Sequence, residues 1–333
     1  MVNNVKSIKK SSLMDRLKYS FFYSRSMVPS LIIFLIFIII IFGSIEPNFI
    51  SLQNFRSILI NMTTLGILSV GLTVVVLAKE FDLSIGSTVA FCSVIIVTFF
   101  NFGLPIPLII LLTGVIGCLV GTLNGLIITR IKVNSLITTL GTLTILKGVA
   151  LLFTGEQPRI FNTDYYAIGR NMLFDFIPIS IIYFTVIVII FTLILKYTKF
   201  GRNVYAVGSN EYAAKISGIN TKNIKLITFI LSGFLASLVA VILTSQMGLG
   251  RPEFGEGAEI EAVTIVVLGG ISILGGLGNY LGVFLALLLV TSIDNGMVLV
   301  DVPIYWRIVI RGFILIIALA IDAFKTKRRA GLK

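Results

Sequence analysis

Long apolar runs alternate along this chain with short polar stretches, on the length scale of a membrane and not of a soluble core. From Leu31 to Phe42 every residue is Ile, Leu or Phe. Extended to Val28 and Ile45 the run reaches 18 residues, roughly 27 Å of helix against a hydrocarbon layer of about 30 Å. At about 0.3 to 0.6 kcal/mol per central apolar residue, the uninterrupted stretch favours insertion by about 4 to 7 kcal/mol. Nine further segments follow, near 54–78, 84–101, 104–129, 134–154, 177–195, 225–245, 258–276, 281–300 and 307–323. The pattern therefore predicts an all-α membrane protein of about ten spans. Glycines 269, 270, 275, 276, 278 and 282 interrupt the apolar run at 255–285, making this the place for a re-entrant segment.

Composition agrees: 56% of residues are hydrophobic and 13% charged, too little polar surface for a soluble chain of this length. The net charge of +12 changes the picture only through its placement. An even number of spans puts both termini on one side. With that side cytoplasmic, it receives Lys6, Lys9, Lys10, Arg16, Lys18 and Arg25, then Lys79, Arg130 and Lys132, the stretch from Lys196 to Lys225, and the tail from Lys325 to Lys333. Twenty of the 27 basic residues lie there, and only Arg56, Arg159, Arg170 and Arg251 fall clearly outside. Nucleic-acid binding is excluded because the charges are dispersed with no aromatic and basic platform. The first run has the basic flank of a signal peptide, but it ends in Gly-Ser-Ile-Glu-Pro without a small-x-small cleavage site, so it reads as an uncleaved helix. Cys92 and Cys118 lie inside spans, which indicates packing and neither a disulfide framework nor a metal site. The organisation expected is a cytoplasmic segment 1–27, a transmembrane domain 28–323 containing a cytoplasmic loop 196–225, and a basic tail 324–333.

Four features carry candidate chemistry. Gly117, Gly121 and Gly125 share one helical face and predict close backbone packing. Within the loop 196–225, Ser209 or Asn210 can cap a short helix that Glu211 favours electrostatically and Gly218 stops; its readings are a docking element or a loop-closing surface helix. Phe81 to Ser87 opens the third span and Phe254 to Glu261 opens the eighth, mirrored in order, so spans 2–5 and 7–10 read as inverted repeats with a pathway between them. Helix capping is the more direct role for Asp82, Ser84 and Glu256. Lys147 sits near the middle of the fifth span, where it costs about 2.5 to 3.5 kcal/mol unless paired or hydrated; a structural partner or snorkelling to the outer end both answer that cost.

Several of these stretches resemble the permease subunit of ribose-, galactose- and xylose-type ATP-binding-cassette importers, the inner-membrane component of binding-protein-dependent systems. The resemblance rests on Asp82-Leu83-Ser84-Ile85-Gly86-Ser87, on Gly141 to Gly148, on Thr198 to Glu211, on Ala213-Ala214 with Ser217-Gly218-Ile219, and on Glu259 to Gly270 with Gly275-Gly276. It departs at Ala78 to Phe81 and at Glu259 to Ala262, which bears on cargo more than on membership. It implies a bacterial inner-membrane protein with both termini cytoplasmic, paired with a second permease, fed by an extracytoplasmic sugar-binding protein and driven by a cytoplasmic ATPase. Arg202, Asn210, Glu211, Ala213, Ala214, Ser217 and Gly218 then form the coupling helix region. The chain has no G-x-x-x-x-G-K-[ST] loop, so ATP and Mg belong to the partner and neither catalysis nor a cofactor is expected here.

A neutral sugar needs hydroxyl and amide partners that release it again. Asn61, Thr63 and Thr64 in the second span, with Thr138, Thr139, Thr142 and Thr144 in the fifth, are the path candidates, against the alternative that each threonine bonds its own helix. Asp82, Ser84, Gly86, Lys147, Glu259 and Glu261 are structural or gating candidates. An ion-coupled secondary transporter is the competing reading; it needs buried carboxylates, of which Asp294 and Glu261 qualify. A non-transporting scaffold is a further one.

Overall fold

The computed structural model describes residues 27–154, 159–160, 164–174 and 177–329; the basic residues expected between Lys6 and Arg25 lie outside them. Helices dominate: α1 (Val28–Ile45), α2 (Leu52–Leu77), α3 (Ile85–Asn101), α4 (Ile106–Leu126, extended by a π turn Ile127–Ile131), α5 (Ser135–Thr154), a one-turn α6 (Ala167–Arg170) and α7 (Ile179–Tyr197). Two short helices, α8 (Lys199–Ser209) and α9 (Glu211–Ile216), precede α10 (Thr221–Met247), α11 (Ala258–Leu268), α12 (Tyr280–Leu299) and α13 (Ile304–Arg329). Two-residue strands pair Arg159–Ile160 with Leu249–Gly250 and Met172–Leu173 with Ile177–Pro178, both antiparallel. Among the described residues, eight helices are long and apolar enough to cross a membrane, and α3, at 17 residues, falls just short of that length.

Burial follows from which helices face lipid. On α2, Ile67, Leu72 and Leu77 are fully buried, and on α10 so are Phe229 and Leu235, whereas Ile33, Phe37 and Ile40 of α1 and Phe313 and Ile316 of α13 lie open. Apolar residues on both the inside and the outside leave little hydrophobic drive between helices, so close packing must hold the bundle together. The glycines of α4 supply it. A Cβ on Gly117 would strike the Gly233 carbonyl oxygen, one on Gly121 the Phe229 carbonyl oxygen, and one on Gly233 the Gly117 carbonyl oxygen. The expected glycine face is thus the seam between α4 and α10.

The eighth predicted span is corrected. Residues 258–276 are not one helix: α11 ends at Leu268 after 11 residues, about 16 Å, half a bilayer. Gly270, Gly275, Gly276 and Gly278 then take positive φ, a conformation that glycine adopts without a Cβ penalty, and turn the chain toward α12. Before α11 the backbone runs back along α3 in extended and turn form. Ser93 Oγ donates to the Arg251 carbonyl at 2.8 Å, and Gly255 packs on Gly86 and Val89 two turns earlier on that helix. Past α11, the Gly276 amide donates to the Leu77 carbonyl at 3.0 Å, at the end of α2. The segment 249–276 therefore traverses the length of its neighbours in three pieces. Hydropathy registered only the middle piece and the loop.

Candidate functional site: a split crossing above a short exposed helix

The loop 196–225 contains two helices where the sequence indicated one. Thr198 Oγ1 accepts from the Gly201 amide at 3.1 Å and starts α8. Asn210 Oδ1 accepts from the Ala213 amide at 2.9 Å and starts α9, and Gly218, at φ +83°, ends it. The cap and stop therefore fall where the residue types placed them, on Asn210 and not on Ser209. Glu211 is in the first turn; Ala214 is buried beneath the helix, and Ala213, Ser217 and Gly218 are exposed. Arg202 lies on α8, where its Nη1 donates to the Tyr197 carbonyl at 3.4 Å, at the end of α7.

Sequence reasoning passed over Tyr212 and Ile216, the most prominent feature of α9. They stand one turn apart on the exposed face, 75% and 71% accessible, and form an apolar knob on an otherwise polar loop. The pattern i, i+4 was visible, but apolar residues in a six-residue helix carry no amphipathic signal of their own.

Lys225, placed by sequence at the junction of the loop and the seventh span, lies inside α10 and pins α9 in place. Its Nζ lies 2.7 Å from Glu211 and 2.8 Å from Glu80, which follows α2. Burial pushes the Glu211 carboxyl up, but hydrogen bonding and charge from Lys225 outweigh it and hold the group below its ordinary value. The sign follows: this pinning is complete above the unfolded glutamate value of about 4.3 and is lost as pH falls through the lower folded value. The protection factor of the amides across 211–216, the exchange rate divided into the intrinsic rate at the same pH, is expected to hold from pH 7 downward and to fall only as the folded Glu211 carboxyl protonates, and Glu211→Gln should remove that dependence.

Beneath α9, α8 rests on the split crossing. Tyr205 donates to the Gly278 carbonyl at 2.8 Å, and Gly208 packs against the Leu77 carbonyl and Gly276. Displacing α8 must therefore displace the glycine turn that carries α11.

Further along the bundle, the two mirrored motifs meet. Gly86 has no room for a Cβ because Glu259 and the Gly255 carbonyl lie against it. Glu256, expected to cap a helix, instead pairs with Lys147 at 2.6 Å, and α11 begins on Gly257 with no side-chain cap. Lys147 and Glu256 are 44% and 57% exposed, and they border a pocket with Gly86, Ser87, Leu143 and Glu259. Lys147 is 12 residues beyond Ser135, about 18 Å into α5. A half-open ion pair at that depth faces water or protein, because hydrocarbon would not tolerate it.

Ser84 holds the N-cap position of α3, as expected, but makes no side-chain cap bond there, and Asp82 turns to partners beyond that helix. Asp82 is 2% exposed; Ser84 donates to it through its amide at 3.1 Å and its hydroxyl at 2.6 Å, and Ser232 of α10 donates at 2.7 Å. Asn124 Nδ2 donates to Ser84 Oγ at 2.9 Å, and its Oδ1 lies 2.5 Å from the Thr142 hydroxyl. One polar chain thus joins α10, the loop before α3, α4 and α5. Asn124 was missed; an amide in an apolar helix beside Gly125 was its signal.

The threonines divide by surroundings. Thr138 and Thr139 are buried and bond their own helix at Asn134 and Ser135, and Thr144 bonds Leu140. Thr63 bonds Leu59 and faces Ser180 of α7, away from α5. Asn61 is exposed and Thr64 half-buried on α2. Only Thr142, half-buried, stands on the helix of Lys147 and also joins the Asp82 chain. Glu261 does not reach the pocket. It pairs with Arg311 of α13, whose other nitrogen lies 2.6 Å from Asp294 of α12.

Comparison with known proteins agrees with this geometry. A family model described as branched-chain amino acid transport system / permease component matches residues 54–319. The ribose import permease protein RbsC of Haemophilus influenzae is 34% identical over 87% of this chain and 91% of its own length. The autoinducer 2 import system permease protein LsrC of Photorhabdus luminescens is 34% identical over 86% and 88%, and that of Salmonella choleraesuis 34% over 84% and 81%. No solved structure matches the chain. On a match that runs from α2 into α13 and on near full-length relatives, the chain belongs to the permease-component family of binding-protein-dependent import systems.

Proposed function

We propose that this chain is the membrane permease of an ATP-driven importer for a monosaccharide or sugar-like solute. The observation that carries the reading is the docking helix α9, capped at Asn210, with its apolar knob of Tyr212 and Ile216 facing outward and α8 resting on the split crossing. The family description names amino acids, whereas relatives aligned over 86–87% of the chain are named for ribose and autoinducer 2 import; the cargo reading follows the relatives. Counting α3 and the three-piece segment 249–276 gives ten crossings, with both termini in the bacterial cytoplasm, and the contact of Gly86 with Gly255 supports inverted halves.

In this reading two permeases pair, a sugar-binding protein delivers cargo from outside, and a cytoplasmic ATPase holding ATP and Mg receives α9 from each permease. ATP-driven approach of the two docking helices moves α8, and through Gly278 the base of α11. The path runs over Lys147, Glu256, Glu259 and Gly86, where charged groups stand half-open beside an 11-residue helix end. Ion coupling is disfavoured because Asp294 and Glu261, the carboxylates it would use, are both paired with Arg311, and Arg307 lies 3.7 Å from Asp294, so two cations balance the two carboxylates. Uptake into proteoliposomes holding permease, ATPase and binding protein should require ATP and persist with ionophores; uptake driven by an ion gradient without ATP would overturn the proposal. Lys147→Met should lower transport about tenfold or more, leaving an unpaired Glu256 in the path, and Lys147→Met with Glu256→Gln should recover most of it. Initial uptake rates at matched membrane levels measure both.

A further inference from the structure

Outside the proposed path, a large cavity of about 1110 Å³ opens beside the docking helix, between the ends of α2 and α4 and the start of α10. Lys79, Lys132, Lys215, Lys222 and Lys225 line it against only Glu80 and Glu211, an excess of three positive charges. Both glutamates are engaged by Lys225, a trio of net charge −1 that faces four further lysines, which leaves the excess of three. All four are exposed.

Two of them carry an unusual backbone. Lys79 and Lys132 end α2 and α4 in the left-handed region, at φ +65° and +68°. Glycine fits that position without strain, and a lysine there costs about 1 kcal/mol. The chain thus places a cation at two helix ends where the backbone favours glycine, and both line the same cavity. Phe81, Ile128, Leu136 and Ile273 add an apolar wall, and Asn134 and Asn220 add polar groups. Lysine binds phosphate as a point charge, and basic pockets between helices at the inner face suit phosphorylated headgroups.

We propose that this cavity binds a phosphate group, either the headgroup of an anionic phospholipid or a soluble phosphate monoester. It shares no lining residue with the pocket of Lys147 and Glu256; its inner-face location rests on the orientation given above, whereas the binding test does not.

The protein is reconstituted in phosphatidylcholine nanodiscs. One arm replaces a fraction of the lipid with phosphatidylglycerol and counts retained lipids by native mass spectrometry. The other titrates sn-glycerol 3-phosphate and follows thermal unfolding. Saturable binding is expected in at least one arm, and which arm responds identifies the source. Lys79→Gln, Lys132→Gln and Lys222→Gln combined should weaken it about 100-fold, close to fivefold per lysine, while Lys196→Gln on α7, outside the cavity, should change it less than twofold. Binding in neither arm, or binding indifferent to the triple substitution, overturns the proposal. Failure of ATP-driven transport would leave this measurement untouched.

Discussion

Substituting Tyr212→Asp together with Ile216→Asp is expected to leave the protein inserted and folded while reducing ATP-driven uptake at least about 100-fold. Both side chains are more than 70% exposed, so neither contributes to the internal packing of the bundle. Burying each in a partner's groove is worth about 1.5 to 3 kcal/mol, so the pair supplies about 3 to 6 kcal/mol of association, or two to four orders of magnitude. A carboxylate in that groove adds a desolvation cost on top. The measurement is co-purification of the ATPase with the permease alongside uptake: both should fall together. Ala213→Gly, a milder change beside them, should reduce both only slightly, because Ala213 adds little area and its amide keeps the Asn210 cap.

Gly121→Leu should prevent accumulation of folded protein altogether. Its Cβ position is occupied by the Phe229 carbonyl, with Ile230 Cα close behind, and backbone of a neighbouring helix cannot yield as a side chain can. The cost exceeds about 3 kcal/mol, and with little hydrophobic drive between helices nothing else restores the seam. Gly114→Ala on the same helix is the control. There the nearest atom, from the Phe234 ring, is 3.5 Å from the Cβ position, an ordinary contact, so the variant should be as stable as the parent or slightly more so. Detergent-solubilised yield and melting temperature distinguish the two outcomes.

Much of this architecture was legible because lipid imposes simple rules. A span needs length and apolarity, so α1, α2, α4 and α12 could be placed within a few residues. The small helix α9 was legible for a different reason: Asn210 and Gly218 are local signals whose meaning does not depend on tertiary contacts. Segment 249–276 was not legible as built, because hydropathy reports solvent and not conformation. Its glycines announced a break, but where the chain turned depended on Gly86 and Leu77, far away in sequence. The same limit applies to charge. Lys147 demanded a partner, yet nothing local distinguished Glu256 from its neighbours, and a capping role was the more economical reading until the two motifs were brought together. Asp82 stood out as a capping or structural residue, but the extent of its network was not legible, since its partners Ser84, Ser232 and, through Ser84, Asn124 come from three separate parts of the chain.

The central claim is that α9 faces the cytoplasm and meets a motor there. In a background with Cys92 and Cys118 replaced by serine, Ala213→Cys places a single thiol on the exposed face of that helix. A membrane-impermeant maleimide should leave it unlabelled in intact cells, label it in inside-out vesicles, and be blocked there when the ATPase is bound. Labelling of that thiol in intact cells would contradict the orientation, and with it the coupling of α8 and α9 to the split crossing.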